Sequence, residues 1–155
     1  MMTDPDNIVL YADIVDRPVD AIYIAQRYRI EVHIVSGTEW EAALDNTKTS
    51  IIYLRHDLTP ERQRFLAAHA LGHYFLHRDD QPAFREYFNR ASGDAREDEA
   101  DAFARKMLLP APWVQAFARY ESEQVLAQKF RVEADIMSIR LKELGISARL
   151  PSFAR

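Results

Sequence analysis

Hydrophobic positions along the chain recur at two spacings, and the changes of spacing divide it into elements. From Pro18 to Arg29, the residues Val19, Ile22, Tyr23 and Ala25 fall at near-helical intervals behind a proline suited to a first turn, which predicts a short helix. Ile30 to Val35 then alternates Ile, Val and Ile with Glu and His, the period of a half-buried strand, and Ser36-Gly37 ends it. A second strand is predicted over Ser50 to Leu54. At Thr59-Pro60-Glu61-Arg62 the signal becomes helical again, with an N-cap threonine, a proline at the first helical position and an acid in the first turn. This helix is expected to run to about His77, carrying Phe65, His69, Gly72, His73 and Leu76 on one stripe.

Asp79-Asp80, Pro82 and Ser92-Gly93 mark Arg78 to Arg96 as a connecting loop, in which Phe84 to Phe88 is expected to form a turn or two of helix. A strong helix is predicted from Ala95 to about Leu109, ended by Pro110 and Pro112. Further helices are expected near Trp113 to Arg119, Ser122 to Phe130 and Glu133 to Leu144, the last closed by Gly145. Trp113, Phe117 and Tyr120 recur at helical spacing and are assigned to the core, with a partner-binding groove as the alternative. The order helix, two strands, helices predicts a single α+β domain over 1–155, with a small antiparallel or mixed sheet packed on helices. Its core would span about 18–110, and a C-terminal helical part 111–146.

Composition narrows the chemistry. A chain of 155 residues, 48% hydrophobic and 28% charged, has room for one globular core and no second catalytic domain. With 20 Lys plus Arg against 24 Asp plus Glu, the net charge of -4 argues against coating nucleic acid by bulk electrostatics. The absence of cysteine excludes thiolate sites and disulfides, so any metal must rely on His, Asp and Glu. The first residues are acidic and polar, and no apolar run approaches the roughly 18 residues of a membrane span. The expectation is a cytoplasmic protein with no membrane partner.

Residues 69 to 73 read His-Ala-Leu-Gly-His. Two histidines four residues apart leave one face of a helix and can grip one metal ion from adjacent turns. In the zinc-peptidase pattern the residue after the first histidine is a glutamate, the base that deprotonates metal-bound water; here it is Ala70. The chain therefore retains the binding half of a metallohydrolase and lacks the chemical half. Both histidines lie within an apolar stripe, where unpartnered imidazoles would strand polar nitrogens, and a shared zinc ion would satisfy one nitrogen from each.

A catalytic zinc site takes three protein ligands plus water, so a third donor is needed. On the helix near residue 100, Glu97 lies only about 20° around the axis from Ala104 on the apolar face, whereas Glu99 lies on the far side. A carboxylate aimed into an apolar core needs a cation, which makes Glu97 the better ligand and Glu99 the alternative. Asp101, one turn later, is placed either to accept a hydrogen bond from the free nitrogen of a ligand histidine or as an ordinary solvated carboxylate. His77 is read as a surface or capping histidine at the helix C-terminus, and His33 and His56 as solvated.

The run Arg62-Gln63-Arg64-Phe65, then His69-Ala70-Leu71-Gly72-His73-Tyr74-Phe75-Leu76-His77, then Glu97-Asp98-Glu99-Ala100-Asp101-Ala102-Phe103-Ala104, closing on Leu108-Leu109-Pro110, resembles the ImmA/IrrE metallopeptidases. The resemblance extends over nearly the whole stretch from Pro18 to Ile146. It implies a zincin-like helical core and His69, His73 and Glu97 as ligands of one zinc ion. It also implies a helix-turn-helix repressor or antitoxin as the partner that is cleaved or destabilised, releasing mobile elements, prophages or stress responses. Ala70 departs from that pattern, because a methyl group cannot accept a proton. General acid-base catalysis is typically worth about 10² to 10⁴ in rate, or about 3 to 5 kcal/mol of barrier, and peptidase activity should fall by at least that much. Such a gap arises either from a deliberate inactivating substitution or in a natural pseudoenzyme.

Two rivals come from other classes. One is a regulatory module that sequesters a repressor or antitoxin without cutting it. The other is direct DNA binding by Val132 to Ile146, with Arg131, Arg140 and Lys142 as contacts. Residues 119 to 155 hold seven basic and five acidic side chains, a small surplus, and Ile136, Ile139 and Leu144 are more simply core contacts. No direct nucleic-acid partner is expected.

Overall fold

Helix α3 (Pro60–His77) runs through the middle of the molecule, and every residue from Phe65 to His73 is buried. The computed structural model describes residues 4–11, 18–79, 85–88 and 94–147. Before α3 come α1 (Pro5–Tyr11), α2 (Ala21–Arg27), β1 (Glu31–Val35), β2 (Ala42–Asp45) and β3 (Ile51–Arg55). After it come β4 (Arg85–Phe88), α4 (Ala95–Leu108), α5 (Ala111–Ala118), α6 (Glu123–Phe130) and α7 (Ala134–Leu144). The fold is α+β. Its mixed sheet has the order β1-β3-β2-β4, with β1 parallel to β3 and the other pairs antiparallel. None of the described helices is long and apolar enough to cross a membrane.

The sheet turns one face to α3. Ile52 and Leu54 of β3 and Ala42 and Leu44 of β2 are buried there, in one hydrophobic cluster with Phe65, Leu66 and Leu71 of α3. Successive strand residues point to opposite faces, so the alternation along Ile51–Arg55 follows directly. On the other side of α3 lies α4, which contributes Phe103, Ala104, Met107 and Leu108 to the same core. Thr59 caps α3 by accepting from the Arg62 N–H at 3.1 Å, with Pro60 at the first helical position, as the sequence predicts. Gly145 closes α7 in the left-handed conformation at φ 67°, the role assigned to it.

Several expectations need correction. The sequence signals no strand at Ala42–Asp45, because Ala-Ala-Leu-Asp has weak β propensity and too few residues to display a period. It is nevertheless a central strand, held by neighbours on both sides. β4 replaces the expected turn of helix: Arg85–Phe88 pairs with the open edge of β2, a partner visible only in three dimensions. Phe84 lies outside the described residues. α1 was unassigned, and Ile8 and Val9 bury against the core. Pro112 does not help to end α4; it sits in the first turn of α5, where a missing N–H costs nothing.

Leu76, Ile34, Tyr120 and Ile139, all placed on buried faces by spacing, are exposed, at 37%, 54%, 69% and 40%. Leu76 and Ile34 lie near the ends of their elements and Tyr120 just past α5, where the periodic face has run beyond the layer that covers it, whereas Ile139 sits midway along α7. Trp113 and Phe117 do pack against the core. Arg140, a contact in the rival DNA-binding reading, is not a surface cation. It is 7% exposed and donates to the Leu109 carbonyl at 3.0 Å, tying α7 to the end of α4.

What sets the α3–α4 approach is Gly72. A Cβ there would meet the Ala100 Cα at 3.0 Å, the Ala100 carbonyl oxygen at 3.1 Å and the Phe103 Cβ at 3.2 Å. Two of these are backbone atoms, which can retreat only if one helix moves. Gly72→Ala would gain up to about 1 kcal/mol of helix propensity, but overpacking of this kind costs about 1 to 3 kcal/mol. A net loss is expected, read as a lower melting temperature of the metal-free chain together with weaker metal binding as α4 is pushed outward.

Candidate metal centre

Helix geometry and burial build the site. In α3, His69, His73 and His77 follow one another at four-residue steps and so share one face. In α4, Glu97 and Asp101 are likewise one turn apart, and the close crossing at Gly72 brings that face against the histidines. Asp94 fixes where α4 begins, its side chain accepting from the Arg96 N–H at 2.8 Å. Glu97 therefore lies in the first turn, its carboxylate near the positive end of the helix.

Three side chains converge on one point. His69 Nε2 lies 2.9 Å from Glu97 Oε2, His73 Nε2 lies 2.9 Å from Glu97 Oε1, and the two Nε2 atoms are 3.2 Å apart. Both imidazoles are almost fully buried, and the Glu97 side chain is 17% exposed. Among the described residues this is the one group of His, Asp and Glu with metal-ligand geometry. The geometry favours Glu97 of the two glutamates: its carboxylate meets both histidines, whereas Glu99 is 59% exposed and faces His77 at 3.1 Å.

His69 Nδ1 lies 2.7 Å from Asp101 Oδ1. A carboxylate only accepts, so Nδ1 carries the hydrogen and Nε2 of the neutral ring presents its lone pair to the centre. Lone pairs from two imidazoles and a carboxylate then face one another in a nearly dry space. Leaving such groups unpaired costs about 1 to 3 kcal/mol each, as much as burying a large core side chain contributes, so the cluster favours a cation there. Protons are one answer. Burial disfavours a charged His69, yet hydrogen bonds and charges from Asp101 and Glu97 outweigh it and raise its pKa above the usual 6.5. Burial likewise pushes Glu97 upward, and the hydrogen bonds and charges of His69 and His73 more than reverse this, lowering its pKa strongly.

A metal ion is the other answer, and the donors fit one. Ligands about 2.0 to 2.1 Å from a tetrahedral ion stand roughly 3.3 Å from each other, close to the 2.9 to 3.2 Å spacings present before any ion draws them into place. Two imidazoles and a carboxylate suit a first-row divalent metal and leave one coordination position for water.

Of the remaining predicted positions, Ala70 is fully buried in the hydrophobic cluster beside His69. His33 is exposed and pairs with Glu31 at 3.2 Å, and His56 is exposed. His77 corrects the sequence reading. It is 3% exposed rather than solvated, its Nδ1 lies 3.0 Å from His73 Nδ1, and its Nε2 lies 3.1 Å from Glu99 Oε2. The signal that could have found it was the repeat of the same four-residue step, which continues the histidine face for another turn.

Comparison with known proteins agrees with this geometry. Residues 22–142 match the model of the IrrE N-terminal-like domain family. The chain is also similar to the protein named Metallopeptidase ImmA of Bacillus subtilis (strain 168), at 27% identity over 106 residues, 64% of this chain and 59% of that relative. It thus spans about three-fifths of the relative's length. The family match covers the sheet, both helices that carry the converging donors and most of the C-terminal helices, and on that ground the chain belongs to the ImmA/IrrE family of metallopeptidases.

Proposed function

We propose that the chain is a zinc metallopeptidase scaffold of the ImmA/IrrE type, directed at a helix-turn-helix repressor or antitoxin and silenced at its base position. The observation that carries this reading is the convergence of His69, His73 and Glu97 on one point, with Ala70 next to it on the same helix. Zinc bound by these three ligands would polarise a water molecule and a peptide carbonyl. The chain's own residues then have distinct tasks. Asp101 holds His69 in the tautomer that offers Nε2, Glu97 supplies negative charge, and Ala70 offers nothing to take the proton of the attacking water. A cytoplasmic site of action goes with this reading, since repressors and antitoxins work there.

A second reading is favoured by Ala70 itself. At 0% exposure and inside the core cluster, it occupies the place of a residue that only packs, as expected of a module that binds its partner without cutting it. The two readings separate on one experiment. The zinc-loaded chain and its Ala70→Glu variant are incubated with a panel of helix-turn-helix repressors and antitoxins. Under the peptidase reading both bind it, and the variant cleaves it faster by about 10² to 10⁴. If the variant folds, binds zinc and leaves every such partner intact, the peptidase reading is lost, and a stable complex then marks the binding module.

Zinc affinity should depend on pH with a definite sign. The metal needs the Nε2 lone pair of His69, which a proton occupies below that group's raised pKa. Affinity should therefore weaken as pH falls, beginning above 6.5, and approach tenfold per pH unit once His69 is protonated in the metal-free chain. Competition titration against a chelating indicator between neutral and mildly acidic pH reads this; a flat profile would show that His69 does not compete with protons for the metal.

A further inference from the structure

Beyond the three converging donors, the histidine face of α3 continues into a second hydrogen-bonded chain. His73 Nδ1 faces His77 Nδ1 at 3.0 Å, and His77 Nε2 faces Glu99 Oε2 at 3.1 Å. The direction of each bond follows from the end that cannot vary. The Glu99 carboxylate only accepts, so His77 Nε2 must donate, and the neutral His77 ring then presents a lone pair at Nδ1. Facing that lone pair, His73 must donate from its own Nδ1. This leaves Nε2 of His73 with its lone pair toward Glu97 and His69. The opposite arrangement would put a hydrogen on His73 Nε2, where it would block an ion.

We propose that His77 and Glu99 are positioning residues for the metal centre, a relay that fixes His73 in the tautomer and ring orientation needed to bind the ion. The inference rests on the zinc reading above and deepens it. Each ligand histidine thereby has its own acceptor on the far nitrogen: Asp101 directly for His69, and Glu99 through His77 for His73. The arrangement explains why a third imidazole is buried at 3% exposure without joining the ligand cluster. It also gives Glu99, which fails as a ligand, a role at the outer end of the chain.

The two arms differ in burial, and so in expected effect. Glu99 is 59% exposed, so water can partly replace it, whereas nothing can enter easily to replace His77. Partners of this kind are worth about 10- to 100-fold in metal affinity. The test uses the full chain with zinc and cobalt(II) chlorides as probes. His77→Ala should weaken zinc binding by about tenfold or more, Glu99→Ala by about threefold, and Glu99→Gln should restore most of the loss, since its amide carbonyl still accepts. The visible absorption of the cobalt-loaded chain should change in His77→Ala, and nitrogen-15 spectra of the metal-free parent should show His73 protonated at Nδ1.

Unchanged zinc affinity in both alanine variants, or His73 protonated at Nε2, would overturn the relay. So would a fall in the melting temperature of the metal-free variants with zinc affinity intact, since that is the mark of packing alone. Should His77→Ala fail to fold, the exposed Glu99 pair of variants and the nitrogen-15 spectrum of the parent decide the matter. A parent chain that binds no zinc at all would instead defeat the underlying metal reading, and that is seen before any variant is made.

Discussion

The close crossing of α3 and α4 at Gly72 is the constraint on which the centre depends. His69 and His73 belong to one helix and Glu97 to another, so their separation is set by how near the two backbones come. With no side chain at residue 72, Ala100 rests almost directly on α3. That contact lies between the ligand turns: Gly72 immediately precedes His73, and Ala100 stands between Glu97 and Asp101. A displacement of even one ångström there would reach the donor atoms nearly undiminished, because close-packed interiors transmit shifts rather than absorb them.

Given that approach, electrostatics does the rest. The helix start puts Glu97 near the positive end of α4, and the carboxylate of Asp101 orients His69 from behind. The donors that could hold a metal ion are the same ones that hydrogen bonds and charges from Asp101 and Glu97 make receptive to a proton at His69. Ala70 packs in the hydrophobic cluster beside His69, and the converging donors and Asp101 keep their places around it.

Much of this was legible in the sequence, for reasons that also explain what was not. Thr59-Pro60, Gly145 and the four-residue histidine spacing announce themselves, because capping and helical periodicity are local properties. The preference for Glu97 over Glu99 followed from their angular positions relative to Ala104, which is again arithmetic within one helix. β2 and β4 were invisible because neither has a pattern of its own; β2 is held between β3, just after it in sequence, and β4, about forty residues on, and β4 exists by that distant pairing. His77 was misplaced because its burial is supplied by packing that no local rule anticipates, and Tyr120 because a periodic face does not reveal where its cover ends.

The first turn of α3 carries another fixture. Arg62 is 8% exposed and bridges Glu41, at 3.1 Å, and Glu133, at 3.5 Å, while Arg64 donates to the Arg131 carbonyl at 2.7 Å. The turn joining α6 to α7 is thereby bolted to the same rod that carries His69, seven residues along and roughly 10 Å away at 1.5 Å per residue. The rod acts as a ruler. Along the axis of α3 that rise equals about three residues of extended polypeptide.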